Sequence, residues 1–284
     1  MAKYCIVILN YIDWQDTVNC IDSFLKNGDG IELSIIVVDN GSKNESVQEL
    51  EERYKNLPNI IIAPLAENQG FAKGNNYGFN IAKRKNDFDY FIFSNSDILI
   101  QPGLFRWIEE VDKQSKFDVL GPDIFAKKMN VHQNPLATYT DRIIKIYLNI
   151  IKRKIAITCL KLGIDYDDQY KRKRVYSNIS EENTSTRYQN VTVHGSFVIF
   201  NKSYFSHYDM PFDGRTFLYM EEHILFQRCR KKNLKMIVDL TQQVIHLQGA
   251  STERVSASIR KRKIWKLENE IKSIQIYKAV IKDK

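Results

Sequence analysis

The chain has 284 residues, 43% hydrophobic and 27% charged, which excludes a disordered polypeptide and leaves room for one large α/β domain or a domain with an appendage. Its net charge of +8 is unevenly spread, since residues 1–125 hold 12 Lys+Arg against 19 Asp+Glu and residues 126–284 hold 30 against 15. A basic half suits nucleic acid, anionic lipid or a phosphorylated ligand, and charge alone does not choose among them.

The elements alternate from the start. Tyr4–Leu9 is a short run of apolar, mostly β-branched residues, the pattern of a strand buried on both faces. It stops at Asn10-Tyr11, and Asp13 stands as an N-cap before Trp14, Val18, Ile21, Phe24 and Leu25 at helical spacing. A second buried strand, Leu33–Val38, ends in the turn cluster Asp39-Asn40-Gly41-Ser42, and a polar helix follows over Glu45–Tyr54. A strand at Asn59–Pro64, a turn at Glu67–Gly70, a helix over Phe71–Arg84, a strand at Asp89–Ser94 and a helix from Pro102 to about Lys116 complete the first part. Such alternation predicts βαβ units and a parallel sheet, with ligands bound beyond the carboxyl ends of the strands. Asn10-Tyr11, Asp39–Gly41, Asn68–Gly70 and Asn95–Asp97 all lie there, so four loops are expected to share one cleft. None carries a GxGxxG or a GxxxxGK[ST], which excludes a dinucleotide fingerprint and a P-loop.

Residues 126–190 break the rhythm. Arg142–Leu162 interleaves isoleucines with cations, Lys171–Arg174 is a basic cluster, and Ser177–Gln189 reads as a mobile loop. The alternation resumes with a strand at Ser196–Phe200, an aromatic strand at Phe217–Met220, a helix from Glu221 to about Lys232, and two short strands at Lys235–Asp239 and Gln243–His246. From Thr252 onward the pattern is one long basic helix. The chain thus divides into residues 1–125, residues 126–251 with the insert 126–190, and a C-terminal helix over 252–284. The scattered cysteines Cys5, Cys20, Cys159 and Cys229 argue for a reducing compartment and against a cysteine-based zinc site. With no signal-peptide pattern and no long apolar run, the expected location is cytoplasmic.

VILNYIDWQDTVNCIDSF, IIVVDNGS, ENQGFAKGNNYG, FIFSNSD, HGSFVIF, FLYMEEHILFQR and VIHLQGAS occur in this order. Together they resemble the family 2 glycosyltransferases, in particular bacterial rhamnosyltransferase-like enzymes of surface-polysaccharide synthesis. The resemblance covers roughly residues 4–125 and 193–251. It implies a GT-A fold, that is, an α/β architecture with a Rossmann-like, mostly parallel central sheet flanked by helices, to which this chain adds a helical basic insert and a long C-terminal helix. The implied activity is inverting, metal-dependent transfer of a sugar from a nucleotide diphosphate sugar, dTDP-rhamnose or a UDP-hexose, to a saccharide acceptor, with Mn²⁺ or Mg²⁺ as cofactor. Capsule, O-antigen and cell-wall polysaccharide synthesis are the implied settings. The acceptor is expected to be linked to a polyprenyl diphosphate.

Residue by residue, the resemblance assigns Asp39 to the nucleotide base, with Asn10 and Tyr11 lining the same pocket. The alternative for Asp39 is a cap on the following helix. Asn68, Gly70, Phe71 and Asn75 form a turn entering a helix, where free N–H groups favour anionic ligands. Gly74 and Gly78 fit helix–sheet packing equally well. Asn95-Ser96-Asp97 stands where the family has its DxD motif. Asp97 would be the metal carboxylate, Asn95 would serve the ribose or a metal-bound water, and Ser96 would border the donor. His246 is assigned as a second metal ligand or diphosphate contact, and imidazole suits Mn²⁺ better than Mg²⁺. Gly195, after His194, would let the backbone approach the donor sugar. Glu222 is the implied base for the acceptor hydroxyl and Glu221 its neighbour in support. Two glutamates opening a helix are also what the helix dipole favours. The family commonly has an Asp two positions after this pair, where this chain has Ile224.

The basic segments also resemble interfacial amphipathic helices, which would bring the enzyme to the inner face of a membrane. The alternative is that the C-terminal helix buries its apolar stripe on the domain or on a second copy, as a homo-oligomer. Two other functional classes are open to such a chain: a family member that binds a nucleotide sugar without turnover, and a nucleic-acid-binding protein. The latter lacks any RNP, helix-turn-helix or zinc motif, so no nucleic-acid partner is expected.

Overall fold

A computed structural model describes residues 1–164, 186–248 and 259–283. The strands are β1 (Lys3–Asn10), β2 (Glu32–Asp39), β3 (Ile60–Pro64), β4 (Tyr90–Asn95), β5 (Ile98–Ile100), β6 (Val119–Ala126), β7 (Val131–His132), β8 (Arg187–Gln189), β9 (Phe197–Asn201) and β10 (Met236–His246). The helices are α1 (Trp14–Asn27), α2 (Ser46–Tyr54), α3 (Gly70–Lys85), α4 (Leu104–Ser115), α5 (Ile143–Lys161), α6 (Glu221–Lys231) and α7 (Ile259–Lys282), with a 3₁₀ turn at Lys202–Ser206.

One sheet runs through the molecule in the order β3-β2-β1-β4-β9-β6-β10-β5, with β7 on β6 and β8 on β10. The β3-β2-β1-β4 half is parallel, as the alternation predicts. Beyond it, β9 runs antiparallel to both β4 and β6, β10 is parallel to β6, and β5 is antiparallel to β10. The parallel strands are buried on both faces. Along β1, Tyr4, Ile6 and Ile8 point to the face covered by α1, α2 and α4, while Cys5 and Val7 point to the face covered by α3 and α6. Two cores on opposite sides of one sheet explain why these strands read as continuous apolar runs.

The structure departs from the sequence expectations at several places. Strand β6 was not expected, because Gly121-Pro122 lies in its middle. Pro122 sits where the β9 pairing has ended and the β10 register jumps from Val238↔Gly121 to Gln243↔Asp123, so no ladder bond is asked of its missing N–H. The two strands expected at Lys235–Asp239 and Gln243–His246 are one strand, β10, interrupted by that same irregularity. Phe217–Met220 is not a strand: Tyr219 and Met220 both have positive φ, a backbone that no strand accommodates. Within the loop expected at Ser177–Gln189, Arg187–Gln189 forms β8 on β10; residues 177–185, and the basic cluster Lys171–Arg174, lie outside the described residues. Asp13 does precede α1, but its side chain makes no cap bond to the helix.

Helices α5 and α7 form a separate layer against α6. They run antiparallel, with Arg153 paired to Glu270 at 2.6 Å and Lys278 near Tyr147. The apolar stripe of α7 (Leu267, Ile274, Tyr277 and Val280) is buried against this layer, as the packed-helix alternative requires. Gln227 on α6 donates to the Tyr277 hydroxyl at 2.9 Å, so the layer is tied to the helix that opens with the glutamate pair.

Candidate active site

The four polar turns meet at the carboxyl edge of the parallel strands. Asn10 and Asp39 are paired in register at the ends of β1 and β2, and the Asn10 amide donates to Asp39 Oδ2 at 2.6 Å. The Ser42 N–H donates to Asp39 Oδ1 at 2.8 Å, closing the turn before α2. Asp39 is therefore buried with both carboxylate oxygens engaged inside the protein, and Thr17 fixes Asn10 from below at 2.8 Å. Tyr11 stands beside them, half-buried.

Asn40, within the turn cluster after β2, joins the site as well. Its amide nitrogen donates to Asn68 Oδ1 at 3.1 Å and to the Gly70 carbonyl at 3.2 Å, and its oxygen accepts from the Gln69 N–H at 2.9 Å. It thereby ties the end of β2 to the loop that opens α3. Gly70 has φ +80°, and a Cβ there would stand 2.2 Å from the Phe217 carbonyl oxygen, so only glycine fits. That carbonyl accepts from the Phe71 N–H at 2.8 Å, bringing the loop before α6 against the loop before α3. Gly74 and Gly78 press on Leu9, Val7 and Val38, which is the packing role. Asn75 is buried; its amide donates to the Phe71 carbonyl at 3.0 Å, and its oxygen meets no partner among the described residues.

Asn95 ends β4, and its N–H donates to the Ser196 carbonyl at 2.9 Å. Two residues on, Asp97 precedes β5, which pairs antiparallel to the end of β10 with Ile98 opposite His246. This pairing sets His246 Nε2 3.2 Å from Asp97 Oδ1. His246 Nδ1 lies 2.7 Å from Gln133 Oε1. With Nδ1–H donated to Gln133, Nε2 presents a lone pair toward the Asp97 carboxylate, and two acceptors so placed call for a proton or a cation between them. The donor set, one carboxylate and one imidazole with its second nitrogen anchored, fits a divalent ion whose remaining ligands come from a diphosphate. Among the described residues no third His, Cys, Asp or Glu joins the pair.

His194 continues the row, its ring 6.3 Å from that of His246. Its Nδ1 accepts from the Ser196 N–H at 3.1 Å, and the Asn134 side chain accepts from its backbone N–H at 2.7 Å. Burial, and then the neighbouring His246, lower its pKa to about 3, so the ring is neutral and its Nε2–H is a donor. Gln133 and Asn134 thus hold both histidines, from a stretch with no motif of its own.

At the other end of the row, the Gly195 N–H points to Glu222 Oε1 at 3.3 Å. A Cβ on Gly195 would stand 2.8 Å from that oxygen, so the glycine is where the carboxylate comes to rest. Glu221, buried beside it, has an oxygen with no partner among the described residues. Burial raises the pKa of both carboxyls, and for Glu221 the charge of Glu222 adds to it. Hydrogen bonds pull the other way, from the backbone N–H of Glu221 and the Thr216 hydroxyl at Glu221 and from the backbone N–H groups of Glu222 and Gly195 at Glu222, and they lose to desolvation. The pair is mounted on strained backbone, Tyr219 at φ 75° and Met220 at φ 70°, which is held by Ser273 of α7 donating to the Leu218 carbonyl at 2.8 Å. Ile224, two positions after the glutamate pair, is fully buried among Ile146, Ile150, Met220, Ile274 and Tyr277. His223 is half-buried, its pKa lowered to about 4 by desolvation, with Nδ1 unpartnered among the described residues.

A depression of about 460 Å³ lies at the opposite edge of the sheet, among Asp89, Asp112, Lys116, Asp118, Lys202 and Lys235. Its charges pair with one another, as in Lys202–Asp89 at 2.8 Å, and it lies away from the carboxyl ends of the strands.

Comparison with known proteins agrees with this fold. S. aureus TarS, residues 1–349, superimposes with a TM-score of 0.53 at 12% identity, over 94% of this chain and 71% of that one. The same protein in complex with UDP-GlcNAc gives 0.55 at 14% identity, over 95% and 65%. The chain therefore spans about two thirds of the length of these structures, and at such identity the likeness speaks for the fold. A sequence search of curated proteins returned no match. The profile of the family described as "Glycosyl transferase family 2" matches residues 5–209, which takes in every site loop up to His194-Gly195-Ser196. With a mostly parallel sheet of GT-A type and that match over most of its length, the chain belongs to glycosyl transferase family 2.

Proposed function

We propose that the protein transfers a sugar, with inversion, from a nucleoside diphosphate sugar to a hydroxyl of a saccharide acceptor. One observation carries this reading: in a family 2 chain, the Asp97–His246 pair and the Glu221–Glu222 pair stand at the two ends of the single segment His194-Gly195-Ser196. A diphosphate leaving group bound at one end and an acceptor hydroxyl at the other would face each other across that segment.

Asn10, Tyr11 and Asp39 would receive the base, and Asn68, Gly70, Phe71 and Asn75 the nucleoside and diphosphate. Asn95 and Ser96 would border the ribose. The backbone of Gly195 and the neutral His194 would lie against the sugar. Asp97 and His246 would hold Mn²⁺ or Mg²⁺, whose chemistry is to neutralise the diphosphate charge. The acceptor oxygen attacks the anomeric carbon from the face opposite the diphosphate, the bond from that carbon to the diphosphate oxygen breaks, and Glu222 takes the hydroxyl proton. Glu222 suits the role because its raised pKa makes it a better base than an exposed carboxylate, provided it is ionised at the working pH. Glu221, its pKa pushed up to about 8 by burial and by Glu222, would stand protonated beside it at neutral pH and contact the acceptor.

The donor class includes dTDP-rhamnose, UDP-hexoses and, by the ligand of the TarS complex, UDP-N-acetylhexosamines. A saccharide on a polyprenyl diphosphate is the proposed acceptor, in polysaccharide synthesis at the cytoplasmic face of a membrane.

Thermal unfolding against a panel of nucleotide sugars, with and without Mn²⁺, tests the reading. Ligand binding to the native state raises the melting temperature by mass action. A rise with one nucleotide sugar, lost on removing Mn²⁺ or in Asp97→Ala, is the expected result. A rise independent of metal removes Asp97 and His246 as ligands. No rise with any nucleotide sugar overturns the donor assignment, and binding with no transfer to any acceptor leaves a nucleotide-sugar-binding protein.

A further inference from the structure

Helix α5 is apolar on two sides. Its inner side, with Ile146, Ile150 and Leu160, is buried against α6 and α7. Its outer side carries Ile144, Leu148, Ile151 and Ile155, continued by Leu162 just past its last turn, each between 49% and 76% exposed. These positions advance by four, three, four and seven residues, which sets them in one straight stripe along the helix. A contiguous apolar stripe of this kind is uncommon on a free surface.

Two rows of lysine flank the stripe. Lys145 and Lys152 lie along one border and Lys154 and Lys161 along the other, all exposed and without an ion-pair partner among the described residues. No Asp or Glu occurs anywhere on α5. The charge pattern decides between two occupants. Pairing the stripe with the same stripe of a second copy would bring lysine rows against lysine rows, with no acid at the bordering positions to offset them. A surface of anionic headgroups neutralises both rows while the isoleucines and leucines enter the acyl boundary.

We infer that the outer face of α5 is a docking surface for an anionic membrane, on which the helix lies in the plane of the headgroups. This deepens the proposed function by naming the face that would present the cleft to a lipid-linked acceptor. α7 does not supply that face with its main apolar stripe, which is spent on α5 and α6. The antiparallel pairing brings the C-terminal end of α5 beside the first turns of α7, where the half-exposed Trp265 touches Phe217 at 6.2 Å between ring centres. Phe217 in turn abuts the Gly70 loop, so one end of the stripe lies toward the cleft.

The test is co-sedimentation of the full chain with vesicles of phosphatidylcholine alone and of phosphatidylcholine with phosphatidylglycerol. The expected result is binding to the anionic vesicles only, weakened by salt. Leu148→Gln/Ile151→Gln/Ile155→Gln should abolish it. Lys145→Gln/Lys152→Gln/Lys154→Gln/Lys161→Gln should lower partitioning, by about fivefold per lysine. Both variants replace exposed side chains and should keep the parent melting temperature and its rise with nucleotide sugar, so loss of docking is read separately from loss of the donor site. The inference is overturned if the parent chain stays in solution with anionic vesicles, or if either variant binds them as the parent does. It is also overturned if sedimentation shows a dimer that the triple variant dissociates while vesicles are ignored.

Discussion

Glu222 is the residue on which the proposed chemistry turns. Glu222→Gln keeps the shape and the contact with the Gly195 N–H but cannot accept a proton, so turnover should fall by about 10²–10⁴-fold. The melting-temperature rise with nucleotide sugar should be retained, since the base acts on the acceptor. Equal loss of both would place Glu222 in donor binding instead. The glutamate pair also makes a stability prediction. Both folded-state pKa values are raised above the ordinary carboxylate range, so between that range and the raised values the native state binds more protons than the unfolded chain. Stability therefore falls as pH rises through this window, and the lost stability returns on acidification. Glu221→Gln removes one buried charge and its repulsion of the other, so the variant should melt higher than the parent at about pH 8 and lose that advantage toward about pH 5. Melting curves of the two proteins across this range decide the matter; parallel curves would mean that the pair is not strained. At this scale the sequence was informative where a side chain's chemistry is rare in its setting, as with two carboxyls after an apolar stretch. It was silent on Gln133, Asn134 and Asn40, whose amides look like any polar loop residue until the histidines or the Gly70 loop they hold are seen beside them.

Elements hold the site by close approach. Gly195→Ala places a methyl group within van der Waals overlap of Glu222 Oε1, so the carboxylate must move; activity should drop by at least about tenfold with little change in melting temperature. Gly70→Ala is the harsher change, since φ +80° and a carbonyl oxygen 2.2 Å from the new Cβ leave no side chain to yield. A loss of about 2 kcal/mol or more in denaturant unfolding is expected. Ile224 belongs to this scale as well. The α5–α7 layer seals its side of α6, so Ile224→Asp would bury an unpaired carboxylate among isoleucines and should cost about 3 kcal/mol or more rather than restore a family feature. A folded, stable Ile224→Asp protein would mean that the layer opens readily. The first four strand–helix units were legible because strands buried on both faces need continuous apolar runs and the turns between them are dense in Asn, Asp and Gly. β6 was hidden by Gly121-Pro122, which a local reading treats as a break and which the sheet tolerates at a register shift. The span Phe217–Met220 imitates a strand by composition, yet its backbone is bent by the demands of Gly70 on one side and Ser273 on the other.

Across the whole molecule, one sheet joins residues far apart in the chain, and a helical layer whose second helix, α7, lies beyond the family match braces the loop that opens α6. A chain ending before α7 would expose Ile146, Ile150 and Ile224, release Leu218 from Ser273, and lose the burial of Leu267, Ile274, Tyr277 and Val280. At about 1.5–3 kcal/mol for each large apolar side chain, this exceeds what a domain of marginal stability tolerates. Such a truncation should aggregate or melt without cooperativity; a well-folded product would assign α7 to some other task. The sequence by itself determined the class of fold, the edge of the sheet that bears the site and the residue types in each loop, because burial period and turn chemistry are local and repeat within a few residues. Only the tertiary structure decided that His246 faces Asp97, that Glu222 rests on Gly195, that Ile224 is sealed under two helices and that, among the described residues, α5 rather than α7 leaves an apolar face uncovered. Those outcomes depend on which strands pair and which helix faces meet, long-range choices set by the packing of the whole chain.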